Sequence, residues 1–162
     1  MMGVPLLVNV LFVCLGNICR SPTAEGVFRH LVAEAGYSDK IRTDSSGMAG
    51  WHTGNPPDER SQAAARRRGI EIGDLRARQT TAGDFEVYDY ILAMDRQNMA
   101  DLIDLCPPGR EDRLHMMLDF ANSPDTAEVP DPYYGDSGFD LVLDLVENAS
   151  RGLLDHIRAK HL

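Results

Sequence analysis

A chain of 162 residues that is 43% hydrophobic has enough length and apolar content to bury the core of one globular domain, read here as 1–162 with no internal repeat. Its 25 acidic against 16 basic residues leave a formal charge of -9, which excludes non-specific attraction to nucleic acid or an anionic membrane. An anionic substrate must therefore be drawn by a local positive site.

The opening stretch 1–8 is apolar but short, with no Lys or Arg ahead of it, and does not read as a signal peptide. Gly3 lacks the Ser or Thr that myristoylation wants at Leu7, and no stretch is long enough to span a bilayer. The cysteines Cys14, Cys19 and Cys106 show neither metal-ligand spacing nor an even disulfide framework. These features point to a cytoplasmic protein in a reducing compartment, with no metal and no cofactor.

In chain order, an apolar and β-branched run that begins at Val10 predicts a buried parallel strand over residues 9–15. The run breaks at Gly16-Asn17, two residues that tolerate positive φ. A helix is predicted from Ser21 to about Gly36. Ser21 is its N-cap, Pro22 its first residue, and Ala24, Val27, Phe28, Leu31, Val32 and Ala35 form one apolar face. Residues 41–46 predict a second strand ended by Gly47, followed by a loop that carries Trp51 and His52. Asn55-Pro56 reads as the cap and first residue of a second helix, which ends with Arg66, Arg67 and Arg68 as a solvated terminus before Gly69. A third strand over 88–94, a third helix from about Asp95 to Leu105 and a fourth strand over 114–118 follow. A polar loop over 122–137 leads to a last helix with Val142, Leu145, Val146, Ala149 and Leu153 on its apolar face. Strands alternating with helices predict right-handed crossovers and a doubly wound parallel sheet, whose ligands bind beyond the carboxyl ends of the strands.

The first strand delivers Cys14 to that edge. A short loop of backbone N–H groups leading into a helix N-terminus forms a concave nest for a tetrahedral oxyanion. The same field favours the thiolate of Cys14 as a nucleophile. Arg20 offers a planar fork of donors to two oxygens of a phosphoryl group, and Ser21 can donate to the sulfur. The Cys-x5-Arg spacing alone is weak, since a cysteine ending a strand is often a small buried hydrophobe. The preceding strand, the Gly-Asn break and the Ser-Pro helix start give it weight. Trp51, Tyr133 and Tyr134 are candidate walls of a slot for a flat ring. On spacing alone, Cys19 is a plain loop cysteine, Cys106 a helix-end residue and Asp131 an exposed turn aspartate.

Cys14-Leu15-Gly16-Asn17-Ile18-Cys19-Arg20-Ser21-Pro22 resembles the signature loop of the low-molecular-weight protein tyrosine phosphatases. Asp89-Tyr90-Ile91-Leu92-Ala93-Met94-Asp95 and Asp131-Pro132-Tyr133-Tyr134-Gly135 match that family too, and the resemblance runs from about Val10 to the last helix. It implies a four-stranded parallel sheet with helices on both faces, and hydrolysis of phosphotyrosine through a cysteinyl phosphate. It makes Cys14 the nucleophile, Arg20 the transition-state stabiliser and Asp131 the general acid, then base. The loop from Leu15 through Gly16, Asn17, Ile18 and Cys19 to Ser21 would hold the phosphoryl group, with Trp51, Tyr133 and Tyr134 around the ring. The resemblance further implies that Cys19 can form a reversible disulfide with Cys14, and that Ser45 hydrogen-bonds Asn17. Tyrosines of the Tyr133-Tyr134 loop are phosphorylated in some members. The implied partners are phosphotyrosine-containing proteins and a cognate tyrosine kinase, with no nucleic acid, no membrane and a monomeric enzyme. One departure stands out: the family often braces its loop with a histidine before Ala-Arg-Gln, whereas Asp74-Leu75-Arg76 precedes Ala77-Arg78-Gln79 here.

Three other readings compete. A thiol-dependent arsenate reductase would place a cysteine pair after the third strand, where this chain has Ala93-Met94-Asp95 and only Cys106 beyond. Phosphoarginine phosphatases carry threonine where this chain has Ile18, an apolar wall suited to an aromatic ring. A non-catalytic phosphate-binding module would lack the nucleophile or the acid.

Overall fold

Strand β1 (Val8–Cys14) lies inside a four-stranded parallel sheet of order β2-β1-β3-β4, completed by β2 (Ile41–Gly47), β3 (Tyr90–Ala93) and β4 (Leu114–Met116). This computed structural model describes residues 7–122, 126–133, 135 and 138–162. Both faces of β1 are covered, which explains its apolar run from Val10 to Cys14. Val8, Val10, Phe12 and Cys14 point into a cluster with Val27 and Phe28 of α1 (Arg20–Glu34) and Val142, Val146 and Leu153 of α5 (Phe139–His161). Leu11 and Val13 point the other way, against Phe85 of α3 (Asp84–Val87) and Leu102 of α4 (Arg96–Leu105). Successive side chains alternating between two helical layers make the doubly wound arrangement.

From β1 the chain crosses to β2 on one side, then returns to β3 on the other. The reversal leaves the carboxyl ends of β1 and β3 side by side, with Val13 paired to Ala93. Cys14 and Asp95 thus emerge at the switch point.

Several boundaries differ from the sequence expectation. Helix α1 begins one residue before Ser21, with Cys19 at the N-cap position and no side-chain cap. Ser21 is needed elsewhere, as described below. Helix α2 (Glu59–Arg66) is capped by Asp58, whose carboxylate accepts from the Arg60 N–H at 2.8 Å, and not by Asn55. The reason is Pro56-Pro57: the second proline pushes Pro56, the residue before it, out of the α region, so Asn55-Pro56 cannot open the helix. β4 stops at Met116, and Met117–Phe120 turns as a 3-10 helix that buries Met117 and Leu118. At the amino end of β3, the Tyr90 hydroxyl meets His161 Nε2 at 2.8 Å, and the Tyr90 ring packs near His115, Phe120 and His156. That cluster closes the end of the sheet remote from Cys14. Among the described residues, no helix is long and apolar enough to cross a membrane.

Candidate active site

The segment after β1 curls back on itself because its backbone is pinned at several points. The carbonyls of Cys14, Leu15 and Ile18 accept from the N–H groups of Met48, Ala49 and Asp58 at 3.0, 2.9 and 2.8 Å. At the bend, Asn17 has φ of 58°, the positive-φ position among the described non-glycine residues. Gly47 lets β2 come this close: a Cβ there would stand 2.9 Å from the Leu15 oxygen and 3.1 Å from Asn17 Cβ.

The Asn17 side chain then does double duty. Its Oδ1 accepts from the Arg78 N–H at 3.0 Å, and its Nδ2 donates to Ser21 Oγ at 2.8 Å. Arg78 is itself held by Asp44 at 3.0 Å and Asp84 at 3.0 Å. Here the loop is braced by a backbone amide, where the expected pattern places a histidine. The expected bond from Ser45 to Asn17 is not made. Ser45 Oγ donates instead to Glu25 at 2.9 Å, a buried carboxylate that captures the hydroxyl.

Cys14 Sγ lies 3.0 Å from Ser21 Oγ and accepts from the Asn17 N–H at 3.3 Å. Because Ser21 Oγ already accepts from Asn17, its own proton is available to the sulfur, with the Ser46 carbonyl farther away at 3.4 Å. Both contacts place a hydrogen-bond donor against the sulfur. Arg20 is 3% exposed, and its Nη1 donates to Asp95 Oδ2 at 2.6 Å and to the Val129 carbonyl at 3.0 Å. Its Nη2 faces Asp131 Oδ2 at 3.6 Å. The other Asp95 oxygen caps α4 by accepting from the Asn98 N–H at 2.7 Å, so one carboxylate fixes both the helix and the arginine. Sequence reasoning gave Asp95 only a helix start.

These groups surround a cavity of about 280 Å³. Cys14, Leu15, Gly16, Ile18, Cys19 and Arg20 form one side, and Trp51, His52, Asp131 and Tyr133 the other. Trp51 is 72% exposed and Tyr133 39%, whereas Ile18 is 9% exposed. Asn17 and Ser21 are buried behind the loop and reach the site through their hydrogen bonds. Tyr134 lies outside the described residues. His52, given no role from sequence, packs over Gly16 and stands 6.3 Å from Tyr133 between ring centroids. The Tyr133 N–H donates to Asp131 Oδ1 at 3.0 Å, holding that carboxylate over the cavity. Cys14 and Cys19 are both free thiols, and burial pushes Cys19 up to about 12. Among the described residues, no group of three His, Cys, Asp or Glu gathers to hold a metal ion.

A sulfur that accepts from two donors, a buried guanidinium fork and an exposed carboxylate around one aromatic-rimmed cavity suit phosphoryl transfer. The model of the family described as low molecular weight phosphotyrosine protein phosphatase matches residues 9–162. The low molecular weight protein-tyrosine-phosphatase YfkJ of Bacillus subtilis is 43% identical over 152 residues, covering 94% of this chain and 97% of that protein. The human low molecular weight phosphotyrosine protein phosphatase is 42% identical over 154 residues, covering 91% of this chain and 94% of its own. In three dimensions the crystal structure of YfkJ aligns with a TM-score of 0.93 at 42% identity, over 99% of this chain and 100% of that one. The protein tyrosine phosphatase of Entamoeba histolytica, crystallised with Hepes in its active site, aligns at 0.91 and 38% identity, over 96% and 99% of the two chains.

Proposed function

This chain belongs to the low molecular weight phosphotyrosine protein phosphatase family and is a hydrolase, and from that premise we propose that it hydrolyses phosphotyrosine through a cysteinyl phosphate on Cys14. The observation that carries the reading is the Cys14 sulfur, bonded by Ser21 and by the Asn17 N–H at the cavity that Arg20 also lines.

In the first step the Cys14 sulfur attacks phosphorus in line, and the bond from phosphorus to the tyrosyl oxygen breaks. Asp131, in its protonated form, gives its proton to that oxygen as it leaves. Arg20 and the backbone N–H groups of the loop carry the charge that spreads over the three remaining oxygens. Asp95 and the Val129 carbonyl hold Arg20 in place, so little reorganisation accompanies the reaction. In the second step the Asp131 carboxylate takes a proton from water, whose oxygen attacks phosphorus and breaks the phosphorus–sulfur bond. The Ser21 hydroxyl donates to the departing sulfur, and inorganic phosphate is released.

The substrate ring lies between Trp51 and Tyr133 against Ile18. Its source is a phosphotyrosine-bearing protein, with a tyrosine kinase as the supplier. The enzyme works as a cytoplasmic monomer, a reading supported by the charge of -9 and the free thiols.

Cys14→Ser tests the covalent route. A serine hydroxyl is a poor nucleophile here, while Arg20 and the loop N–H groups do not depend on sulfur. The variant should lose turnover of p-nitrophenyl phosphate yet bind inorganic phosphate. Substantial turnover by folded Cys14→Ser protein would refute the mechanism.

A further inference from the structure

Asp58 and Arg60 stand at the start of α2, outside the cavity lining, yet their bonds connect the two loops that meet at the substrate. The Asp58 N–H donates to the Ile18 carbonyl in the phosphate loop at 2.8 Å. The Asp58 carboxylate accepts from Arg60 Nε at 3.0 Å and Nη2 at 3.0 Å, a two-pronged pairing. Beyond Asp58, the same guanidinium reaches the Asp131 segment. Nη2 donates to the Tyr133 carbonyl at 3.0 Å and Nη1 to the Gly135 carbonyl at 2.7 Å. Its central carbon lies 5.7 Å from the Tyr133 ring centroid and 4.8 Å from that of Phe139. Tyr133 in turn holds Asp131 through its N–H at 3.0 Å.

We propose that Arg60 is a positioning residue for the acid step: anchored to the phosphate loop through Asp58, it holds the backbone beyond Asp131 so that this carboxyl faces the leaving oxygen. On the other flank of Asp131, the Val129 N–H donates to the Met94 carbonyl at 2.8 Å. The acid is thereby fixed on both sides, by the end of β3 and by α2. The Arg60 hydrogen bonds also hold the Asp58 carboxyl below the usual carboxylate range, so the pair stays charged at neutral pH. Lysine would keep the charge but not the planar fork that serves Asp58 and two carbonyls at once.

The inference rests on Asp131 as the acid, and its test separates the two claims. kcat/KM reports the steps up to departure of the first leaving group. It is measured for phosphotyrosine, whose leaving oxygen needs a proton, and for 2,4-dinitrophenyl phosphate, whose leaving group does not. The proteins are wild type, Arg60→Ala, Arg60→Lys and Asp131→Ala. Arg60→Ala should lose about 10- to 100-fold on phosphotyrosine and less than about threefold on the dinitrophenyl ester. Arg60→Lys should show a smaller loss with the same selectivity, and it carries the test if Arg60→Ala does not fold. Inhibition by vanadate, which reads the phosphate loop and Arg20, should be unchanged. Equal losses on both substrates, no loss, or weakened vanadate inhibition would overturn the proposal. If Asp131→Ala lacks the leaving-group dependence, the acid assignment fails and Arg60's role fails with it. If Asp131→Ala shows it and the Arg60 variants do not, only the Arg60 proposal fails.

Discussion

A branched aliphatic side chain at position 18 shares the cavity with Cys14 and Arg20. Against a tyrosine ring it gains dispersion contacts and buried area. Against a phosphoarginine guanidino group it offers no hydrogen bond, and the N–H groups would be desolvated without a partner. Ile18→Thr should therefore move the kcat/KM ratio toward phosphoarginine, by roughly tenfold or more. Both substrates, assayed on both forms at one pH, check this. A ratio that does not move, or a wild type that already prefers phosphoarginine, removes Ile18 as the selector. Other residues of the site were less readable. Cys14, Arg20 and Ser21 fall within one short stretch, so their association is local. Asp95 grips Arg20 across 75 positions, and no local pattern signals such a contact. Glu25 takes Ser45 from Asn17 for a similar reason, since only the packing of α1 on β2 brings them together.

Helix α1 carries more polar burial than its apolar spacing suggests. Arg20, Ser21, Thr23 and Glu25 are all buried in its opening turns, because that end of the helix forms the site and lies along β2. Glu25 is 4% exposed and receives Ser45 Oγ at 2.9 Å and Thr43 Oγ1 at 3.3 Å. Arg29, the cation near it, is committed to Asp74 at 2.9 Å. Burial accordingly pushes the Glu25 carboxyl from 4.5 up to about 7, against the hydrogen bond from Ser45. Between those values the folded chain holds a proton that the unfolded chain has released, so stability falls as pH rises through the window. Glu25→Gln keeps an acceptor for Ser45 and cannot ionise. It should flatten the pH dependence of chemical denaturation and stabilise the protein at pH above the window by up to about 3 kcal/mol. An unchanged slope with lower stability at alkaline pH would count against a strained Glu25. Elements of this kind were legible in outline. β1 was readable because both its faces are apolar, and α5 because its stripe is long. The four-residue α3 is too short to show a period, and the start of α2 followed from Pro56-Pro57, a signal that the Asn55-Pro56 pair masked.

For the molecule as a whole, strand order decides what chemistry is possible. Alternating strands and helices gave the parallel sheet, but nothing in their spacing says which strand lies beside which. With β3 next to β1, Asp95 reaches Arg20, and the Val129 segment reaches Arg20 and the Met94 carbonyl. With a formal charge of -9, the overall field repels a phosphate, so under the proposed function capture depends on the buried Arg20 and the loop amides at close range. Under the proposed mechanism the phosphoryl group passes through the Cys14 sulfur. That route is tested most directly by mixing Asp131→Ala protein with a radiolabelled aryl phosphate bearing a good leaving group. The first step then proceeds without the acid, while the missing base slows hydrolysis of the intermediate. After a rapid quench in alkali, where a thiophosphate monoester persists, the label is mapped by peptide mass spectrometry. Labelled protein should form, with the phosphoryl group on the peptide containing Cys14, on the cysteine itself. Label on another residue, or release of phosphate with no labelled protein at any time, would contradict the mechanism.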